Sequence, residues 1–234
     1  MLTVRKAAER GVSKFSWLNS QHTFSFGGYM DPHHMGFSDL RVINDDRVVP
    51  GAGFGTHGHR DMEIISYVLE GELGHRDSMG TGSVIRPGDV QRMTAGTGVT
   101  HSEMNASDTN SVHFLQIWII PENKGLEPGY EQKHFELAAR QDQWRLVGSR
   151  DGRDGSVTIH QDMSLYTATL SEDTKLTYSL ERGRRAWLQV TRGYLRVNGE
   201  TLEAGDGAAV SDRLQINVEA TADNTEVLLF DLAA

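Results

Sequence analysis

Apolar and polar positions alternate over short distances along this chain. Runs of Val, Ile, Leu, Tyr and Trp are each closed off by a glycine or a polar pair. The clearest runs predict strands over Leu40–Ile43, Ile64–Leu69, Val112–Ile119, Ala186–Val190, Tyr194–Val197 and Glu226–Asp231. Helical periodicity is weak, and its best stretch, Tyr130–Ala139, predicts one short helix. With 25 glycines against 5 prolines punctuating these runs, the fold class expected is all-β. The segments 121–129 and 148–155, rich in glycine and charge, are expected to connect two halves, 1–134 and 135–234.

An internal repeat supports the two halves. The run Tyr67–Leu69 before Gly71 resembles Leu188–Val190 before Gly193. A Gly-Asp turn follows in each, Gly88-Asp89 and Gly205-Asp206, 117 positions apart. Asp108-Thr109-Asn110 and Asp223-Asn224-Thr225 then recur at an offset of 115. Three features in the same order predict a duplicated barrel.

Composition narrows the function. The 234 residues carry a formal charge of −9 and no long basic run, which disfavours direct binding to nucleic acid. Without cysteine there is no disulfide, thiolate ligand or cysteine nucleophile. No apolar leader opens the chain and no long apolar run follows, so a soluble, unprocessed, cytoplasmic protein is expected, with no membrane association.

The chemistry concentrates in two short segments. His57-Gly58-His59 places two imidazoles two residues apart, on the same face of an extended strand. Such a pair alone is also compatible with ordinary surface or core histidines. The second segment, His101-Ser102-Glu103, follows a glycine-bearing turn and repeats the spacing, so His101 and Glu103 share a face too. Three neutral imidazoles and one carboxylate would leave a divalent ion with coordination positions open to water, substrate or dioxygen, as catalytic sites do. The alternative is a polar strand end whose Glu103 pairs with a surface arginine.

His57-Gly58-His59, Gly71, Pro87-Gly88-Asp89 and Gly98–Asn105 resemble the two motifs of the cupin superfamily, which implies a double-stranded β-helix barrel. In the common cupin pattern the carboxylate ligand falls in the first motif, at the position of Ile64 here. Glu63 stands one residue away, and a shift of one residue on a strand reverses the face. Glu63 is therefore expected in the barrel wall or behind the ligands, with Glu103 supplying the carboxylate. That displacement, together with Thr23–Phe26, Leu40–Asp46, Gly55–Arg60 and Met93–Glu103, resembles the pirin family along nearly the whole chain.

The resemblance implies a bicupin with one Fe(II) in the N-terminal barrel, held by His57, His59, His101 and Glu103, a donor set that by itself also accepts manganese, cobalt, nickel, copper or zinc. It also implies quercetin 2,3-dioxygenase activity, in which a flavonol chelates the ion and is activated for attack by O2. Glu103 is the candidate catalytic base. Some pirins act instead as regulators through protein partners, so a redox-responsive iron protein is the alternative. Counting through the repeat puts Ser179 and Glu181 at the positions of His57 and His59, and Ile216 and Val218 at those of His101 and Glu103. The C-terminal barrel is expected to be metal-free.

Other histidines in the first half, His22, His33, His34, His75 and His113, are read as structural or solvated rather than as ligands, with a place behind the ligands as the alternative. Phe24, Phe26, Phe54 and Met62 are candidates to line a pocket for a planar aromatic ligand, and core filling accounts for them equally well.

Overall fold

The computed structural model describes all residues, Met1–Ala234. Each run predicted as a strand lies within one: Leu40–Val48, Glu63–Glu70, Val112–Ile119, Arg185–Arg192, Tyr194–Val197 and Thr225–Leu232. The predicted helix is mostly strand. Gly129–His134 pairs with Asp89–Thr94, and only Leu137–Arg140 turns as a helix. Sheet pairing prevails because every second side chain finds a partner. Tyr130 bonds Ser83, Gln132 donates to the Val84 carbonyl and Asp89, and His134 bonds Asp89.

The chain forms two compact units that exchange segments: Gly11–His134 with Val157–Gln161, and Met1–Arg10 with 135–156 and 162–234. A division at 134/135 read from the sequence does not include this exchange. Leu2–Arg5 pairs with Gly207–Val210, and the buried Asp206 carboxylate accepts from Lys6 Nζ at 2.9 Å and the Ala7 amide at 2.7 Å. In the other unit Glu63, fully buried, accepts from the His160 amide at 3.2 Å and the His160 ring at 3.1 Å. Glu63 is thus a barrel-wall group that ties down the returning segment.

Each unit is a pair of antiparallel sheets, and the smaller sheets show the duplication directly. In the N-terminal unit the order is Gly53–His59, Val99–Asn105, Leu73–Asp77, Gly82–Ile85. In the C-terminal unit it is Lys175–Ser179, Gln215–Ala220, Tyr194–Val197, Glu200–Glu203. The repeat glycines behave alike. Gly71 and Gly193 have φ of 77° and 72°, and a Cβ on either would press into the Ser111 carbonyl or the Thr225 hydroxyl, so no other residue fits. Asp89 and Asp206 each accept the amide three residues back, closing equivalent turns.

The interiors differ. The C-terminal core is one continuous apolar cluster that includes Leu180, Val197, Ile216 and Val218. The N-terminal barrel has apolar clusters around Phe114 and Met93, yet it also buries Asp46, Ser66, His75, Gln91, His101, Glu103 and Gln116. Burying that many polar groups costs stability unless each is partnered, which marks the barrel interior as the functional region.

Candidate metal centre

Gly53–His59 is the edge strand of its sheet and pairs antiparallel with Val99–Asn105, placing His101 directly opposite His57 and Val99 opposite His59. The pairing requires Gly53, because a Cβ there would sit 2.3 Å from the Glu103 carbonyl oxygen. Between these points the register slips, so that Phe54 rather than Gly55 faces Glu103. This bulge reverses the face of Phe54 and brings it to the side that carries His57 and His59.

The three histidines converge. Their ligating nitrogens all lie within 4.8 Å of one another, and ring centroids are 4.5 Å apart for His57 and His101 and 4.9 Å for His59 and His101. His57 donates from Nδ1 to the Gly55 carbonyl at 2.8 Å, which in the neutral ring makes Nε2 the ligating atom. Burial lowers the pKa of His59 to about 4 and that of His101 to about 3, with the neighbouring imidazoles adding to both shifts. Both rings are therefore neutral near pH 7, as metal ligands must be. Both ring nitrogens of His101 are buried without a hydrogen-bond partner. An unpaired buried imidazole is costly, and a divalent cation shared with His57 and His59 is the partner that this donor set fits.

Glu103 lies two residues beyond His101, nearly inaccessible, with its Oε1 accepting from Ser66 at 3.0 Å and its Oε2 from Gln116 at 3.3 Å. It is not part of the tight three-histidine group. Burial pushes its carboxyl up to about 7, and the bond from Ser66 opposes the shift. Asp46 shares this environment: burial raises its pKa to about 7 against the bond from Ser20, with the Glu103 and Asp45 charges adding to the rise.

A cavity of about 550 Å³ opens beside His57 and His59. Its apolar wall is Phe15, Trp17, Leu18, Phe26, Phe54 and Trp118, and its polar side is Ser20, His22, Asn44, Asp46 and Gln116. Phe26 and Phe54 thus take the place expected of them. Phe24 is instead packed in the core, and Met62 joins the Ile64, Met93, Ala95 and Val99 cluster. Trp17 and Trp118, which sequence reasoning passed over, contact Phe54 and His59 edge-on at 5.2 and 4.9 Å.

The remaining histidines separate. His22 lines the cavity, held by Ser13 at 2.8 Å and Asn44 at 2.7 Å. His34 pairs with Asp31, His113 pairs with Asp45, and His33 is exposed. His75 lies beside the metal ligands, its ring 5.4 Å from that of His101. Only the strand register, which sets His75 opposite Glu103, could have revealed this.

In the C-terminal unit the register sets Ile216 opposite Tyr178, and Leu180 bonds Leu214. The equivalents of His57 and His59 are therefore Tyr178 and Leu180. This corrects Ser179 and Glu181 by one residue, since the link from Leu180 to the turn glycine Gly193 is one residue longer than that from His59 to Gly71. Ile216 and Val218 stand at the places of His101 and Glu103, as counting through the repeat had them.

Two cupin-type barrels, one with a three-histidine centre beside an aromatic cavity, define a bicupin, and the chain belongs to the pirin family. The pirin model matches residues 3–119, and a quercetinase C-terminal cupin domain matches residues 146–232. The chain is 49% identical to a quercetin 2,3-dioxygenase of Escherichia coli (strain K12), over 99% of both sequences. Its structure is similar to that of YhhW from Escherichia coli, with a TM-score of 0.95, 50% identity, and 99% and 97% of the two chains covered. Bacterial pirin YhhW in complex with nickel(II) also matches at a TM-score of 0.95 and 48% identity, over 100% and 99% of the chains. No helix of the chain is long and apolar enough to cross a membrane.

Proposed function

We propose that the chain is a cytoplasmic, metal-dependent dioxygenase that cleaves a flavonol such as quercetin, with Fe(II) as its working ion. The observation that carries this reading is the juxtaposition of three convergent imidazoles with an aromatic-walled cavity sized for a planar polyphenol. The relatives named as quercetin 2,3-dioxygenase and as a nickel-binding pirin support it.

His57, His59 and His101 would hold the ion beside the cavity. When bound, the ion supplies Lewis acidity that acidifies a chelating hydroxyl and leaves the substrate electron-rich toward O2. Trp17, Phe26, Phe54 and Trp118 clamp the flat rings and exclude water. Glu103 would be the fourth ligand in this reading and would take the substrate proton at a carboxylate oxygen. Ser66 and Gln116 hold it in the orientation for that transfer.

Anaerobic loading with Fe(II) or Ni(II), addition of quercetin in air, and loss of the flavonol absorbance test the reading. Multiple turnovers are expected, abolished by His57→Ala and lowered about 100-fold or more by Glu103→Gln. Unchanged turnover in Glu103→Gln would eliminate its role as base. Absence of turnover in metal-loaded protein would sink the enzyme reading and leave a regulatory metalloprotein acting through a protein partner.

A further inference from the structure

His75 is not among the three convergent ligands, yet its surroundings tie it to them. It is 1% exposed, on the strand Leu73–Asp77, directly opposite Glu103 and two steps along the ladder from His101, which Asp77 faces. Asp77, whose Oδ1 is occupied by the amides of Met79 at 2.9 Å and Thr81 at 3.0 Å, presents Oδ2 to His75 Nε2 at 3.0 Å. A carboxylate so engaged accepts, so Nε2 donates its proton to Asp77 and, in the neutral ring, Nδ1 is the acceptor. That Nδ1 is buried with no hydrogen-bond partner. Both nitrogens of His101 are in the same condition, and the two rings stand 5.4 Å apart centre to centre.

The duplication provides an independent observation. Leu195 pairs with Ala220 and Val197 with Val218, as Leu73 pairs with Asn105 and His75 with Glu103. In the C-terminal barrel His75 is therefore replaced by Val197 and Asp77 by Gly199, alongside the apolar replacements of His59, His101 and Glu103. His75 and Asp77 have changed together with the metal ligands, as members of one unit would.

We propose that His75 is a positioning residue of the metal centre: its Nδ1 accepts the N–H of the His101 nitrogen that does not face the ion, and Asp77 locks His75 in the tautomer that permits this. The inference rests on the three-histidine reading above. Asp77, His75, His101 and the ion form one chain of contacts, in which the outer carboxylate raises the basicity of the inner imidazole and fixes its orientation.

Nickel(II) affinity, measured by competition with a chromophoric chelator on the full-length protein, tests it, together with the visible absorption bands of the bound ion. His75→Phe is expected to weaken nickel binding by about 10- to 100-fold and to shift those bands, and Asp77→Asn to do so by less. His75→Gln, which restores an acceptor, should recover most of the affinity. Wild-type affinity and spectrum in folded His75→Phe would overturn the proposal. So would equal losses in His75→Gln and His75→Phe, since that outcome means space filling alone. Should His75→Phe fail to fold, wild-type affinity and bands in Asp77→Asn would overturn the proposal just as well. Nickel binding unaffected by His57→Ala would instead overturn the three-histidine reading itself.

Discussion

Asp46 and Glu103 make the metal-free protein sensitive to rising pH, while His59 and His101, lowered by burial, act in the opposite direction; both carboxyls are raised by burial to about 7. A carboxyl raised in the folded state contributes stability that is fully present below its unfolded pKa, near 4, and is lost as pH rises through about 7. The apoprotein is therefore expected to be less stable at pH 8 than at pH 5 through these groups. Asp46→Asn, which keeps the shape without the charge, should stabilise the apoprotein at pH 8 by on the order of 2 kcal/mol and have little effect at pH 5. Urea denaturation of both proteins at the two pH values checks this, and an equal effect at both would refute it. The convergence of His57, His59 and His101 was legible from the spacing, since a period of two puts His57 and His59 on one face. His75 and Asp46 were not, because nothing local separates a histidine or aspartate aimed inward from one that is solvated.

The strand Gly53–His59 carries two of the three imidazoles and depends on its neighbour for position. Gly53 admits the close approach of the Glu103 carbonyl, and the slip in register turns Phe54 into the cavity. Gly53→Val should push the edge strand away, cost on the order of 2 kcal/mol in stability and weaken nickel binding. A thermal melt and a nickel titration on the same preparation measure both effects, and a variant with wild-type values would show that the edge strand tolerates the displacement. The central strands were readable from composition, whereas this glycine-rich edge strand was recognised only by its histidines. The segment Tyr130–Ala139 misled for the opposite reason. Its helical pattern is local, and the pairing of Gly129–His134 with Asp89–Thr94 is not.

At the scale of the chain, the first ten residues belong with the C-terminal unit, where Leu2–Arg5 covers the edge of Gly207–Val210 and Lys6 neutralises the buried Asp206. Deleting residues 1–10 should uncover that edge and leave a buried carboxylate without its lysine, a loss of about 3 kcal/mol or more. Limited proteolysis is expected to cut first within 162–234 in the truncated protein, while nickel binding, built from residues 53–103, persists. Preferential cutting within 11–134 would contradict this assignment of the segment.

By itself the sequence determined the all-β class, the duplication and the convergent histidines, because strand periodicity, turn glycines and His-x-His spacing are local patterns that hold wherever the strands go. The register between repeats, the exchange of Met1–Arg10 and Val157–Gln161, the aromatic wall and the place of His75 behind His101 were decided only by the tertiary structure. Each depends on which strands pair and at what offset, and pairing joins residues far apart in the chain through backbone hydrogen bonds that every sequence can make.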